Sequence, residues 1–422
     1  MKVKASKVFV PGGMPQHTYV NRAERDLETK LKSVSDNLCK LAVLTGSTKS
    51  GKTVLTNRLF PRLDSDNVWI DGGTIATEND LWTAILDSID GYSNSEVTDS
   101  EESGQSLSGS AEAEIGVPFV AKGKGTVGTS LSRKQTEGRK NSLALSPRAA
   151  AISQLRESGK TLIIDDFHYL NRKFQGEVIR ALKPLIFEGD AVIIIAIPHR
   201  RYDAVKVERE MTARVESIPV PVWSKDELKE IAETGFPLLN VVIEPAVVER
   251  FASESYGSPH LMQEFCRALC NQENIIETSD ATIRISRLNE DLFRKIAEGT
   301  GKVVFDKLGK GPRQRSDRKP RRLRNGDSAD IYRVVLLALA KLAPGMEKVD
   351  YESLRAAIRD ILASEIPQAH EVSRVLDKMA EIASSDEAST PVIDWLKSDQ
   401  ELHITDPFFA FFLKWGGVNQ AN

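Results

Sequence analysis

The sequence lacks what would tie it to a membrane or an oxidising compartment. Only three cysteines occur in 422 residues. So small and odd a number supplies no disulfide framework and fits a reducing, cytoplasmic setting. No window approaches the 18 or more uncharged apolar residues of a membrane-spanning helix, so no membrane association is expected. The N-terminal MKVKASKVFVPGG holds a short apolar run, too short for a secretory signal. Net charge is only -3. That excludes a chain coating nucleic acid over its whole surface, while leaving room for a local basic patch. Cys266 and Cys270 lie four apart on an expected helix, but no second Cys or His pair at ligand spacing accompanies them. Buried structural thiols are expected there, not a metal pair. No internal repeat is present.

What remains is an ordinary globular composition, 41% hydrophobic and 28% charged, in a chain longer than one core usually organises. Two or three domains are therefore expected. Residues 23–40 space Leu27, Leu31, Val34 and Leu38 by three and four, which predicts an amphipathic helix. KLAVLT (40–45), residues 68–70, TLIIDD (161–166) and AVIIIAI (191–197) read as buried strands. Helices are expected between them at 78–90, 148–157 and 173–187. Strands apolar on both faces, alternating with helices, predict an α/β domain with a parallel sheet covered on both sides. After Trp223 the strands stop, and 225–235, 245–255 and 259–271 read as an all-α segment. Residues 328–416 read as helical apart from a short strand pair near 392–404. The stretch 93–147 is rich in Ser, Glu and Gly and reads as an insertion carrying a β-hairpin.

One octapeptide carries specific chemistry. GSTKSGKT, residues Gly46, Ser47, Thr48, Lys49, Ser50, Gly51, Lys52 and Thr53, fits G-x-x-x-x-G-K-[ST] between an apolar strand and a helix, and with Val54 these are the expected nucleotide-binding residues. Its glycines let backbone N–H groups face phosphates, and the helix adds the positive end of its dipole. Lys52 is expected to reach the β- and γ-phosphates of ATP, and Thr53 to offer its hydroxyl to Mg2+. A P-loop needs a carboxylate on a neighbouring strand, and Asp165 and Asp166 end TLIIDD. Asp165 is expected to hold Mg2+ through water, and Asp166 to orient or deprotonate the attacking water.

These motifs, in this order, resemble STAND and origin-recognition-type AAA+ ATPases. TYVNRAERDLETKL (18–31) is similar to their "hydrophobic-Gly-Arg-Glu" box beside adenine, with Asn21 in place of the glycine and Arg22 as the matching contact. LIIDDFH is similar to a STAND-type Walker B. AVIIIAIPHRR resembles a sensor-1 strand with Pro198 at the usual polar position, which shifts the sensor to His199 or Arg200. MTARVESIPV resembles the arginine-finger region, with Arg214 as the finger; a surface ion-pair residue is the equal alternative. YGSPHLMQEF resembles the start of the sensor-2 helix, with Pro259 at its first turn and His260 near the basic sensor. LHITDPFFAFFLKW resembles the end of a winged-helix domain, its aromatics serving mainly as packing.

The resemblance implies a P-loop ATPase core at 1–222 with the insertion at 93–147. It further implies a helical lid at 223–300, a basic linker at 301–326 and a winged-helix-like domain at 327–422. It implies ATP and Mg2+ as cofactors, a homo-oligomer if Arg214 acts in trans, and a separate partner or effector, since no effector or sensor repeats are visible in the chain. Three functions stay open: a STAND-type switch of the kind often used in bacterial antiviral defence, a DNA-engaging AAA+ ATPase, and a regulatory ATP-binding module with little hydrolysis. For DNA, residues 302–324 hold ten Lys or Arg against two Asp. They could meet phosphates directly or with the winged-helix-like domain, or form a solvated linker, since no stacking aromatics are interleaved.

Overall fold

The computed structural model describes residues 2–36, 39–89, 146–197, 214–312, 319–346, 348–363, 365–384 and 391–417. The expected β-hairpin of the insertion and the sensor-1 positions Pro198, His199 and Arg200 lie outside the described residues.

The chain begins with α1 (Ala5–Val8). The predicted helix over 23–40 is broken: a 3-10 turn at Ala23–Arg25 precedes α2 (Leu27–Lys32), with Asp26 between them at φ 53°. Apolar spacing alone could not show that left-handed residue, which costs helical continuity.

The sheet follows. Strands β1 (Leu41–Thr45), β2 (Asn67–Asp71), β3 (Thr161–Asp165), β4 (Val192–Ala196) and β5 (Val215–Pro219) are all parallel, in the order β2-β3-β4-β1-β5. Alternate residues serve opposite faces. Val43, Ile164 and Ile194 join one core with α4 (Glu78–Ser88), α5 (Pro147–Ser158) and α6 (Arg172–Glu188), and Ala42, Ile163 and Ile193 join another. That two-sided burial is why β1, β3 and β4 read as unbroken apolar runs. Parallel register brings Thr45, Asp71, Asp165 and Ala196 to one edge of the sheet.

Beyond Trp223 come α7 (Lys225–Leu238), α8 (Pro245–Glu254), α9 (Pro259–Gln272), α10 (Asp291–Thr300) and α11 (Lys302–Lys310). Ser224 and Glu227 form a capping box at the start of α7, satisfying two of the N–H groups a helix start leaves open. The segment is not purely helical: β6 (Val241–Ile243) pairs with β7 (Ile283–Ile285) in parallel. Three-residue strands are too short to show a period. Helix α11 also takes up the first part of what reads as a basic linker. Phe305 and Leu308, one turn apart, are buried while its lysines face out.

The C-terminal part runs β8 (Arg321–Arg322), β9 (Ser328–Ala329), α12 (Ile331–Leu342), β10 (Val349–Asp350), α13 (Tyr351–Ile361), α14 (Ala369–Ser384), β11 (Ile393–Leu396), β12 (Glu401–Ile404) and α15 (Pro407–Trp415). Strand order β10-β12-β11 is antiparallel, within a mostly helical C-terminal part.

The helices α7 to α10, expected as a lid, and the C-terminal helices share one continuous core. Phe265 of α9 stacks near Phe293 of α10 (5.0 Å) and Phe411 of α15 (5.1 Å), and Phe293 lies 4.9 Å from Trp415. Glu254, buried at the end of α8, accepts hydrogen bonds from Lys414 Nζ (2.6 Å) and Trp415 Nε1 (2.8 Å). The N-terminal segment joins the same core through Ala5, Val8, Phe9 and Val20. Phe9 passes so close to α7 that a Cβ on Gly235 would stand 2.3 Å from its ring, so glycine is required there. Cys266 and Cys270 lie inside this core, where burial pushes both thiols up, that of Cys270 to about 12.

Candidate nucleotide site at the sheet edge

Strand β1 runs into the GSTKSG loop and then into α3 (Lys52–Leu59). The turn needs left-handed backbone at Lys49 (φ 60°) and Gly51 (φ 90°). Glycine meets this freely at position 51, while Lys49 adopts it under strain. Lys52 is only 9% exposed, and its Nζ donates to the carbonyls of Gly46 (3.0 Å) and Ser47 (2.9 Å). Burial pulls its pKa down to about 8, opposed by Asp166 and Asp165. The loop thus holds the ammonium with its own backbone. Thr48 Oγ1 and Ser50 Oγ are buried with no hydrogen-bond partner, so two hydroxyl donors stand ready for acceptor oxygens. Oxygen-rich phosphates fit this cradle.

Thr53 Oγ1 donates to Asp165 Oδ1 at 3.3 Å, which brings the two Mg2+ candidates together. The same oxygen accepts from the Asp166 backbone N–H (3.0 Å), and Oδ2 accepts from Arg62 Nη2 (3.1 Å). Burial raises the Asp165 pKa, against the pull of Thr53 and Arg62. A hydroxyl and a carboxylate, all oxygen, suit a hard divalent cation shared with phosphates. Asp166 sits in the left-handed region (φ 50°) where the chain turns out of β3. Burial, then Asp165 and Asp71, push its carboxyl up to about 6. Its side chain is half-exposed and, with His168 and Tyr169, borders the cavity.

The cavity beside the loop is about 350 Å³, within the range of small-molecule sites. Tyr19, Val20, Trp223, Ile231 and Gln263 supply its walls, and Val54 and Arg22 line it as well. The Arg22 guanidinium, 5% exposed, pairs with Glu227 through Nε (3.0 Å) and Nη2 (3.1 Å). It also donates to Pro221 O at 3.0 Å and lies 4.8 Å over Trp223. Trp223 Nε1 in turn donates to Ser50 O at 2.9 Å. Arg22 therefore braces the passage from β5 to α7 against the P-loop.

His260, at the start of α9, also lines the cavity and stands edge-on to Phe408 of α15, 4.9 Å away. Burial and the nearby Lys49 pull its pKa to about 4, with Asp406 acting the other way. At neutral pH the ring is uncharged. Lys49 itself pairs with Asp406 at 3.0 Å and lies 4.0 Å over the Phe408 ring.

Arg214 is not brought to this site. It directly precedes β5, whose first residue pairs with Leu41, so it stands at the opposite end of the strands from the P-loop. A five-residue strand separates the two ends by ~16 Å. Its guanidinium lies 4.9 Å over Phe187.

Arg62, Trp223, Glu227 and Asp406 were not legible as site residues. Arg62 follows α3 in an unremarkable polar loop. Glu227 shows only as part of a helix-start signal, and Asp406 lies 357 residues from Lys49.

No protein-family model matches the sequence, and none of the curated proteins matches it either. Solved structures do match along nearly its whole length. A Walker-type ATPase of Pyrococcus abyssi is 15% identical, with a TM-score of 0.53, over 96% of this chain and 99% of that one. The ORC1 protein of Aeropyrum pernix, solved in complex with DNA, is 13% identical with a TM-score of 0.42, over 98% and 96%. A STAND protein with a tetratricopeptide repeat sensor from Pyrococcus horikoshii is 14% identical with a TM-score of 0.35, over 94% of this chain and 42% of that one. At this identity the likeness is one of fold, and the chain has the P-loop ATPase fold of the first of these.

Proposed function

We propose that the chain is an ATP-binding and ATP-hydrolysing switch whose nucleotide state controls how the lid and C-terminal domain sit on the ATPase core. The observation that carries this reading is Lys49. It belongs to the phosphate loop, yet its ammonium is held by Asp406 and the face of Phe408 at the start of α15. A loop that rearranges around phosphates cannot leave that contact unaffected.

In this reading the P-loop backbone and Lys52 bind the phosphates, and the Thr48 and Ser50 hydroxyls gain partners. Thr53 and Asp165 would hold Mg2+, which supplies charge neutralisation between the β- and γ-phosphates. Asp166 orients the attacking water and accepts its proton. His260, neutral beside Lys49, would meet a nucleotide by hydrogen bonding and not by charge. Arg22 shapes the adenine side by fixing Pro221–Trp223. Arg214, far from its own P-loop, would serve a neighbouring subunit's nucleotide in a homo-oligomer, the alternative being a surface residue stacked on Phe187. A separate partner protein would read the position of the C-terminal domain.

DNA binding is the weaker reading. Within the basic stretch, Arg321 is buried and donates to Glu365 O and Glu371, while Arg324 donates to Leu362 O. Helix α14 offers Arg374 and Lys378 against Glu371, Asp377 and Glu381, a poor match to phosphates. A regulatory module without turnover has no support from the half-exposed Asp166.

ATP binding measured by calorimetry, alongside turnover, tests the proposal. The full chain should bind ATP with Mg2+ and hydrolyse it, with or without duplex DNA. Turnover seen only with DNA, and fading with salt, would favour the DNA-engaging class.

A further inference from the structure

The carboxylate expected to face Mg2+ already has a cation on it. Asp165 is 4% exposed at its side chain, and Arg62 Nη2 stands 3.1 Å from its Oδ2. Its Oδ1 is taken by Thr53 and the Asp166 N–H. The guanidinium is placed, not adrift. It lies 4.5 Å over the Trp69 ring, and that ring is fixed by a 2.9 Å hydrogen bond from Nε1 to Phe60 O. The Arg62 backbone N–H donates to Asn57 Oδ1 at 2.9 Å, tying the loop to α3. The electrostatic need is plain. Asp71, Asp165 and Asp166 share the sheet edge, and Asp71 acts on both neighbours. Lys52, the other cation nearby, is committed to the loop carbonyls.

We infer that Arg62 is a positioning residue whose guanidinium stands on Asp165 Oδ2, so that a divalent cation must displace it to reach the Walker B carboxylate. This rests on the ATP-site reading and deepens it. Arg62 orients the buried carboxylate through its Oδ2, as Thr53 does through Oδ1. It also sets a threshold: metal enters only when the phosphates add enough negative charge to favour a divalent ion over a monovalent one. The side chain can leave readily, because it is 44% exposed. A charge-assisted but partly exposed pair is a modest competitor. Its removal should tighten metal binding by up to roughly fivefold.

The test uses the full chain with a non-hydrolysable ATP analogue, titrated with Mn2+ while free Mn2+ is read by electron paramagnetic resonance. Arg62→Gln should bind Mn2+ about two- to fivefold more tightly than the wild type, with metal-free analogue binding little changed. Arg62→Lys, a looser point charge, should fall between the two. A merely structural role would move analogue binding and Mn2+ binding together. If Arg62→Gln does not fold, Arg62→Lys alone decides, by binding Mn2+ more tightly than the wild type or not. Equal or weaker Mn2+ binding in the variants, with analogue binding intact, overturns the role of Arg62 and leaves the ATP site standing. Failure of the wild type to bind the analogue at all overturns both.

Discussion

The sheet buries its apolar side chains on two faces under flanking helices, whereas the N-terminal segment, lid and C-terminal helices pool theirs into a single core. Between these two bodies the contacts named above are polar or cation–π: Lys49 with Asp406 and the Phe408 ring, and Trp223 Nε1 with Ser50 O. Apolar cores resist partial opening, while a seam of ion pairs and hydrogen bonds can be remade at small net cost. The comparison teaches that any nucleotide-driven movement should run along the seam, with lid and C-terminal domain travelling together.

The largest effects should come from the sheet side. Asp166→Asn should keep ATP binding but lower turnover by about 10²–10⁴-fold, the usual worth of a general base. Lys52→Ala should lose nucleotide binding itself, measurable by calorimetry. Unchanged turnover in both would remove the ATPase reading. Next, Phe411→Ala should cost about 3–5 kcal/mol, because Phe411 is fully buried where lid and C-terminal helices meet. Denaturant unfolding should show lid and C-terminal domain melting together, with the sheet transition in place. Separate melting of the two would break the single-body account.

Smaller effects belong to the seam. Lys49→Ala removes a partly exposed ion pair and a cation–π contact, together worth about 1 kcal/mol. Asp406→Asn removes the charge while an asparagine can still cap α15, a role Asp406 serves for Phe408 and Phe409 N–H. Both variants should change ATP affinity in the same direction, and the double variant should add little. The seam should also carry a pH dependence. His260 is held at about 4 in the closed form against an ordinary 6.5. Between those values an opened seam takes up a proton that the closed one refuses. Closure is therefore at full strength above pH 6.5 and weakens as pH falls toward 4. His260→Leu should flatten that slope in urea titrations.

The sheet was legible because its signals are local: unbroken apolar pentapeptides, a glycine-bounded loop, and Asp165–Asp166 at a strand end. Lys52, Thr53 and Asp165 were placed together by one additional rule, that parallel strands end at a common edge. The other body was only partly legible. Its helices α7, α8 and α9 carried clear periods and caps, but nothing in MKVKASKVFV announces that Phe9 packs on Gly235, 226 residues away by subtraction of their numbers. Helix α11 was hidden by its lysines, since Phe305 and Leu308 make only one apolar turn. Arg62 and Asp406 owe their positions to tertiary contacts that no spacing encodes.

The central claim, that nucleotide in the P-loop moves the C-terminal body, is tested most directly by a distance. Spin labels at Ser88 on α4 and Ser398 between β11 and β12, both exposed, in a chain with Cys39 replaced by serine, would report across the seam. Addition of ATP and Mg2+ should shift the distance distribution, and the same addition to the Lys52→Ala variant should leave it unmoved. An identical distribution with and without nucleotide, in a chain shown by calorimetry to bind ATP, would contradict the account.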